Sequence, residues 1–527
     1  MLLAAAVAVS AGVNLLRLGH LTSDQFSIAP MIQKSIDPEL YSRDPIYGNP
    51  ANYDFYLPYY RHLLEGLMGV TGDVSLAYWA LMTGMTLVTV VAFWLLYVGM
   101  KVRPTWAAVG AILSSLPRLA PSQEINGAGV METALPRTFV TMMLPLVMLV
   151  FFRSRGRGWQ CLLSFFAVGV VGNLHPQSAL FLTAVLMVLL IWQRHRELWG
   201  WITAGVGGLV SLIGISPFIM SFEWTWGGSS GGGGTGLEGA LNTLLFFKSA
   251  PVLSGAIMEQ IIAKAEIYGN VVLFVACVAP MLGAGWMVRR LSRDGAGNEA
   301  AETSWRAALV ATGLGLVAGS VFSFLPVFGG IGWLISLHWL RAMRLVAPLV
   351  MIAVVLWMGR SQALSQVGRW KGVLLAGLVV FPTAMTMVGL ETVYLRRYYP
   401  YKEVALQAGK MTPKDCLILT EPVGGCAFRV WSKRSIILAQ ADKNFFVGRD
   451  RAILREFVST VGKAYEKKKP RVVMRYARSC GADYVVLPMD GSTLVEDVPV
   501  CGEYYLSRVW TKRPGHAGAT PKEVSGP

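Results

Sequence analysis

The chain has 527 residues, of which 54% are hydrophobic and 15% charged, and its mean hydropathy is +0.49. Soluble domains carry about 25% charged residues, so this composition excludes an ordinary soluble protein and indicates a polytopic α-helical membrane protein. The net charge is +16, and the residues from Thr392 onward carry 23 Lys and Arg against 13 Asp and Glu. No nucleic-acid-binding motif accompanies this charge, so we expect contact with lipid head groups or a phosphate-bearing substrate, and no nucleic acid.

The first apolar segment, MLLAAAVAVSAGVNLL, resembles a signal peptide but lacks a basic n-region and a convincing cleavage site, so we interpret it as an uncleaved transmembrane helix. Further apolar segments follow at about 76–100, 105–118, 137–152, 159–173, 178–193, 199–217, 268–288, 306–326, 343–359 and 371–390. The pattern therefore predicts about 11 transmembrane helices in a domain that spans residues 1–391.

A long polar loop at 20–75 follows the first apolar segment. It carries Asp24, Asp37, Asp44 and Asp54, interleaved with tyrosines and prolines. Because tyrosine favours the boundary between membrane and water, one interpretation is a loop folded on the membrane surface that presents carboxylates to a cavity. The alternative is that these aspartates cap helices and close turns, as Asp-Pro pairs do.

The connections between apolar segments divide by charge. KVRP, RSRGR, QRHRE and RRLSR are short and basic, and the positive-inside rule predicts that such connections are cytoplasmic. Alternation then predicts that the 20–75 loop and the Gly-rich loop at 218–267 lie outside the membrane. With an odd number of helices the C-terminal domain is also extracytoplasmic. We expect a multi-pass protein of the inner (cytoplasmic) membrane.

From residue 392 to 510 the composition is that of a small soluble domain. CLILT, RSIILA and DYVVLP are typical of strands, and 450–468 and 471–480 are typical of helices, which predicts an α/β fold. Residues 511–527 have the composition of a disordered tail. If the domain lies outside the membrane, one or two disulfides are expected among Cys416, Cys426, Cys480 and Cys501.

Asp24 is the main catalytic candidate, because it follows the first helix by a few residues and is expected near the outer membrane surface. A carboxylate there can act as general base toward an acceptor hydroxyl, or it can bind a divalent metal ion. The neighbouring Gln25 can hydrogen-bond a sugar or an amide. A single carboxylate in a loop is a weak signal, so no cofactor is assigned beyond a candidate divalent metal.

Other candidate substrate-binding groups are Asp44, His175 in NLHPQ, and His338, Arg341 and Arg344 in LHWLRAMRL. Ionisable groups at membrane depth are costly and mark function by default. Arg341 and Arg344 are three residues apart, so they share a helix face and can clamp a phosphate. Interfacial anchoring is the alternative for these arginines, and a structural hydrogen bond is the alternative for His175.

The layout resembles the GT-C superfamily of integral-membrane glycosyltransferases, with its acidic residue soon after the first helix and its C-terminal outer domain. The text DQFSIAP…DPELYSRDPIY is also similar to the first loop of bacterial polytopic proteins grouped near that superfamily. The motif similarity covers only about 20–60, with NLHP and RAMRL as further candidates. Many members show an adjacent acidic pair where this chain has Asp24-Gln25, which puts metal use and activity in question.

The resemblance implies transfer of a sugar from a polyprenyl-phosphate donor to an acceptor on the outer face. Asp24 would be the base or the metal-binding acid, and Arg341 and Arg344 would hold the donor phosphate. Two alternatives stay open. One is a non-catalytic membrane scaffold for envelope assembly, and the other is a transporter or lipid flippase, which ranks last because the chain shows no internal repeat. The sequence predicts no oligomeric state.

Overall fold

The computed structural model describes the chain in segments, and all statements below concern them. They are residues 1–15, 21, 25–50, 53, 57–115, 134–227, 283, 286, 299–315, 345–360, 400–422, 424–439, 442, 449–467, 469–488, 498–501 and 504–508. The chain divides into two compact units. The first comprises Met1–Ile28 with Tyr53–Arg396, and the second comprises Ala29–Asn52 with Arg397–Pro527.

The described part of the first unit is helical. Its helices are α1 (Leu2–Leu15), the start of α2 (Gln25–Ile36), α3 (Pro58–Thr71), α4 (Val74–Gly99), α5 (Pro104–Ser115), α6 (Pro136–Ser154), α7 (Gly158–Gly172), α8 (Pro176–Arg194), α9 (Leu198–Gly227), α10 (Glu299–Gly313) and α11 (Val346–Arg360). α4 packs on α5 and α6, α6 packs on α7, and α7, α8 and α9 pack on one another, while α10 packs on α8 and α11.

Four of these helices are long and apolar enough to cross a membrane, namely Val74–Gly99, Pro136–Ser154, Pro176–Arg194 and Leu198–Met220. The 26 residues of α4 extend about 39 Å, which exceeds the hydrocarbon thickness of a bilayer. Asp73 caps its start, because one carboxylate oxygen accepts hydrogen bonds from the backbone N–H groups of Ser75 and Leu76 at 2.8 and 3.0 Å. Shorter apolar helices accompany them, and the chain is a multi-pass membrane protein.

The predicted apolar segments at 76–100, 105–118, 137–152, 159–173, 178–193, 199–217 and 343–359 each coincide with most of an observed helix. Nearly all of 268–288 and all of 371–390 lie outside the described residues, so the count of about 11 spans stays a prediction. The Gly-rich loop was expected to begin at 218, yet α9 continues through Pro217 to Gly227. Residues 228–267 of that predicted loop lie outside the described residues.

A substitute hydrogen bond explains how α9 accommodates its proline. Pro217 has no backbone N–H to donate to the carbonyl of Ile213, four residues earlier. The hydroxyl of Ser216 donates to that carbonyl at 2.7 Å instead. The helix therefore continues past Pro217, where the apolar segment predicted from the sequence ends.

The second unit contains helices and one five-stranded sheet. The chain forms α12 (Pro400–Met411), β1 (Leu417–Leu419), α13 (Gly425–Ser432), β2 (Ser435–Ile436), α14 (Arg449–Glu466), α15 (Pro470–Ser479), β3 (Tyr484–Pro488), β4 (Val498–Cys501) and β5 (Tyr504–Arg508). The strand order is β2-β1-β3-β5-β4. The β1–β2 and β1–β3 pairs are parallel, and the β3–β5 and β4–β5 pairs are antiparallel.

The first three strands lie within the segments that the sequence marks as strands, and α14 and α15 match the predicted helices to within two residues at each end. Phe457 and Val461 of α14 and Val473 of α15 form a buried cluster with Leu419 and Val485 of the sheet. An apolar stripe on each helix thus covers the apolar strands. The predicted boundary near 392 stays a prediction, as does the disordered tail at 511–527, which lies outside the described residues.

Residues 29–52 of the long first loop pack with the residues after 397. The Gln33 amide donates to the carbonyl of Val430 at 3.1 Å, and the Tyr41 hydroxyl bonds both the Gln33 side chain and the carbonyl of Arg429. The Arg43 guanidinium forms an ion pair with Asp483. These contacts make the loop segment an integral part of the second unit.

Candidate functional site

The first candidate pair is Asp24 and Gln25, which are adjacent in sequence. Gln25 is the first residue of α2 and is 3% exposed. Asp24 directly precedes it in sequence and lies outside the described residues. The role of Asp24 as base or metal-binding acid, and that of Gln25 in substrate binding, therefore stay predictions. The position before a helix suits both a capping carboxylate and a reactive one.

Asp44 lies in the second unit and is bonded on both carboxylate oxygens. Its Oδ2 accepts hydrogen bonds from Arg429 Nε at 2.8 Å and from the backbone N–H of Ile436 at 3.2 Å. Its Oδ1 accepts from the backbone N–H groups of Ile46 and Tyr47 at 3.0 and 3.1 Å. The side chains of Asp44 and Arg429 are both 0% exposed.

Arg429 completes a buried network with a second carboxylate. Its two terminal nitrogens donate to the two oxygens of Asp442 at 2.8 and 2.9 Å, which is the bidentate geometry that guanidinium favours. The ring of Tyr47 lies 4.6 Å from the guanidinium carbon, a cation–π contact. Asp442 also accepts from the backbone N–H of Ala439 at 2.7 Å. Arg429 thus connects Asp44 of the first loop with Asp442.

The electrostatics of this network follow from burial. Desolvation raises the pKa of Asp44, and the nearby Arg429 guanidinium opposes that rise. Burial also raises the pKa of the Tyr47 hydroxyl above its ordinary value. Four protein donors already occupy the Asp44 oxygens. The geometry therefore favours a structural role, in which this carboxylate holds the first-loop segment to the C-terminal residues. Its contact with substrate stays a prediction.

Sequence reasoning did not select Arg429 or Asp442. Arg429 ends the segment EPVGGCAFR, whose glycine pair after a strand was a weak sign of a turn. The network joins residues that are 385 positions apart in the chain, and no local pattern encodes such a pairing. The signal available in the sequence was that Arg429 stands in an otherwise apolar helical segment. A cation buried there requires a partner of opposite charge.

His175 caps helix α8. Its Nδ1 accepts a hydrogen bond from the backbone N–H of Ser178 at 3.2 Å. This contact matches the structural alternative for His175, and substrate binding by its other ring nitrogen stays a prediction. His175 is half-buried, directly before Pro176 at the first position of α8.

The neighbouring Asn173 bridges two backbone groups of α9. Its Nδ2 donates to the carbonyl of Gly214 at 2.9 Å, and its Oδ1 accepts from the backbone N–H of Phe218 at 2.8 Å. Gly214 and Phe218 are four residues apart, the separation of an α-helical hydrogen bond, and they flank Pro217. The NLHPQ segment therefore ties α7 and α8 to the proline-containing part of α9.

The remaining candidates, His338, Arg341 and Arg344, lie outside the described residues. Their roles in holding a donor phosphate stay predictions. Among the described residues no three His, Cys, Asp or Glu side chains gather into a group that could hold a metal ion. The candidate divalent metal accordingly rests on Asp24 alone.

The cysteines do not form a described disulfide. Cys416, Cys426 and Cys480 are free thiols, while the side chain of Cys501 lies outside the described residues. Cys426 is buried, and burial raises the pKa of its thiol to about 12. Pairing between any two of the three described thiols, which the sequence allowed, is therefore absent from the structure.

Solved structures match most of the chain. The Archaeoglobus fulgidus oligosaccharyltransferase in complex with Zn and sulfate matches with a TM-score of 0.53 and 12% identity, over 93% of this chain and 68% of that chain. The same enzyme, tethered to an acceptor peptide containing the NVT sequon, matches with a TM-score of 0.50 and 11% identity, over 92% and 68%. This enzyme is a GT-C membrane glycosyltransferase.

The chain has a GT-C-like fold. The resemblance drawn from the sequence is thereby confirmed at the level of the fold. ArnT from Cupriavidus metallidurans, bound to undecaprenyl phosphate, matches this GT-C-like chain with a TM-score of 0.43 and 14% identity, over 97% of this chain and 98% of that chain. No family model and no curated protein matches the sequence.

Proposed function

We propose that this GT-C-like protein is a glycosyltransferase that moves a sugar from a polyprenyl-phosphate donor to an acceptor on the outer face of the membrane. The observation that supports it is the likeness in fold to an oligosaccharyltransferase over 93% of the chain. That enzyme was solved with a tethered acceptor peptide. The donor class comes from the sequence resemblance, in which an acidic residue follows the first helix.

The reaction is a displacement at the anomeric carbon of the sugar. The acceptor oxygen forms a bond to that carbon as the bond from the carbon to the donor phosphate oxygen breaks. Asp24 takes the acceptor proton as general base, and polyprenyl phosphate leaves. Arg341 and Arg344 stabilise the charge that develops on the leaving phosphate. The alternative role of Asp24 in this proposal is to bind a divalent metal ion.

The orientation belongs to the same proposal. With about 11 spans and basic cytoplasmic connections, Asp24 and the C-terminal unit are on the outer face of the inner membrane. A polyprenyl-phosphate donor also lies at that membrane surface, so the acceptor and the donor phosphate meet where Asp24 is expected. An acceptor in the outer compartment has direct access to this position.

The test is transfer of a labelled sugar from polyprenyl phosphate by protein purified with its native lipids. Asp24→Asn is expected to lower turnover by about 10²–10⁴-fold, the range for loss of a general base, while it keeps donor binding. Arg341→Ala is expected to weaken donor binding and to lower turnover. Asp37→Asn is the matched control. Asp37 lies in the same predicted loop as Asp24, is half-exposed, and forms an ion pair with Lys414.

Wild-type turnover in Asp24→Asn would contradict the assignment of the base. Failure of the wild-type protein both to bind polyprenyl phosphate and to transfer sugar from any donor tried would overturn the transferase. The scaffold would then become the better hypothesis, with Asp24 as a capping or turn residue.

A further inference from the structure

A cavity of about 620 Å³ lies in the first unit, where α4 and α6 end and α10 begins. Three cationic residues line it, namely Lys101, Arg153 and Arg155. They come from two different basic connections of the chain, and Gln193 from a third connection also lines the cavity. The size lies within the range of about 300–1,000 Å³ that is typical of small-molecule sites.

The three cations have no carboxylate partner in the described part of the chain. Two other arginines at this end of the unit are paired: Arg194 with Glu197, and Arg306 with Glu302 at 3.2 Å. Lys101, Arg153 and Arg155 form no ion pair with any described residue. Within the described residues, no carboxylate therefore neutralises these three charges.

The three cations lie at the C-terminal ends of α4 and α6, where the helix dipole favours positive charge, and Arg155 is the C-cap residue of α6. The last carbonyls of α4 are bonded by the backbone N–H groups of Met100, Lys101 and Val102, and the carbonyl of Phe152 in α6 is bonded by the N–H of Arg155. Lys101 and Arg155 also have left-handed backbones, with φ of 61° and 47°. This conformation is common for a residue that ends a helix.

The beginning of α10 lines the same cavity. It contributes Glu299, Ala300 and Thr303, and the Thr303 hydroxyl accepts a hydrogen bond from the Gln193 amide at 2.9 Å. Three cations thus face a single carboxylate among the lining residues. Met100 and Phe152 add apolar surface beside the charges. The cavity therefore has a net positive charge, and its apolar surface suits the glycerol or acyl region of a lipid.

We propose that this cavity binds a phosphate group, either of an anionic lipid head group or of a soluble phosphate ester. Guanidinium and ammonium groups are the side chains that hold phosphate through charge-assisted hydrogen bonds. The cavity lies where the basic connections meet, on the face that the charge pattern predicts to be cytoplasmic. It is therefore a second anion site, separate from the donor phosphate position expected on the outer face, and it does not depend on the transferase proposal.

The experiment measures binding by isothermal titration calorimetry to the purified full-length chain in a neutral detergent. The probes are short-chain phosphatidylglycerol, pyrophosphate, and short-chain phosphatidylcholine as the zwitterionic reference. The cavity variant is Lys101→Gln with Arg155→Gln. Its matched control is Arg103→Gln with Arg157→Gln, which removes the same charge from exposed neighbours that do not line the cavity.

We expect the cavity variant to bind the preferred anionic probe at least about tenfold more weakly, which corresponds to about 1.4 kcal/mol. The control variant is expected to bind it within about twofold of the wild-type protein, because Arg103 and Arg157 are exposed and do not line the cavity. Glu299→Gln is expected to strengthen binding, since it removes the carboxylate that repels the ligand. A folding defect does not produce this gain.

The probes also identify the source of the phosphate. Tighter binding of phosphatidylglycerol than of pyrophosphate assigns a lipid head group, and the reverse order assigns a soluble phosphate ester. Two results overturn the proposal: neither anion binds better than phosphatidylcholine, or the control variant loses as much affinity as the cavity variant.

Discussion

At the scale of single residues, Arg429 of the second unit is held by several partners at once. It is fully buried, bonded to Asp44 and Asp442, and stacked on Tyr47. A buried cation is tolerated only when its donors are satisfied, because desolvation of an unpaired charge costs several kcal/mol. The network therefore specifies one arrangement of residues 29–52 against the C-terminal residues, since other arrangements leave this charge without its partners.

Asp44→Ala tests this arrangement. It leaves Arg429 with one carboxylate and removes the acceptor of three backbone N–H groups, so we expect a loss of about 3–5 kcal/mol in the stability of the second unit. The measurement is thermal unfolding of the full chain, followed by tryptophan fluorescence. Asp37→Ala is the control and should leave the melting temperature nearly unchanged, because its pair with Lys414 is exposed. Equal melting of wild type and Asp44→Ala would show that the network does not stabilise the fold.

At the scale of elements, α7 and α9 approach at the level of their backbones. A Cβ added at Gly169 would lie 2.1 Å from the carbonyl oxygen of Ser211, and one at Gly214 would lie 2.9 Å from the Cα of Gly169. Small residues permit such close approach between membrane helices. This contact lets the Asn173 side chain reach the backbone of α9 beside Pro217.

Asn173→Leu is expected to destabilise the first unit by about 1–3 kcal/mol, because two backbone groups near the proline lose a hydrogen-bond partner. The matched control is Asn14→Leu in α1. The Asn14 amide is buried, and no hydrogen-bond partner for it is found in the part of the chain that the structure describes. The control should be neutral or stabilising. Thermal unfolding in detergent distinguishes the two, and a smaller loss in Asn173→Leu than in Asn14→Leu would contradict the bridging role.

At the scale of the whole molecule, charge organises the chain. Residues of the KVRP, RSRGR and QRHRE connections line one cavity, so these three basic connections lie at the same end of the first unit. Their grouping agrees with the alternation that the charge pattern predicts. The orientation of this end toward the cytoplasm is part of the proposed function.

Reporter fusions measure that orientation. Alkaline phosphatase, which is active only outside the cytoplasm, is fused after Arg157, after Arg196 and after Pro527. We expect it to be inactive at the two basic connections and active at the C-terminus, because the number of spans predicted from the sequence, about 11, is odd. Activity at Arg157, or the same result at all three positions, would contradict the predicted topology.

The amino-acid sequence by itself determined the helical membrane class, the positions of most described helices, and the first three strands of the sheet. These features depend on local apolarity and periodicity. For the membrane helices there is a further reason, since a backbone in lipid must satisfy its own hydrogen bonds. The first-loop text also indicated the GT-C-like fold. Asp24, Arg341 and Arg344 come from the sequence alone, since they lie outside the described residues.

Only the tertiary structure decided which polar side chains meet. Asp44 was a candidate for substrate contact, and its partners Arg429 and Asp442 were not selected at all. Asn173 received no role of its own, yet it bridges α9 across 41 positions at Gly214 and 45 at Phe218. Partners so distant in sequence are brought together by the packing of whole elements. The residues next to a side chain in the sequence therefore do not indicate which distant partner it will bond.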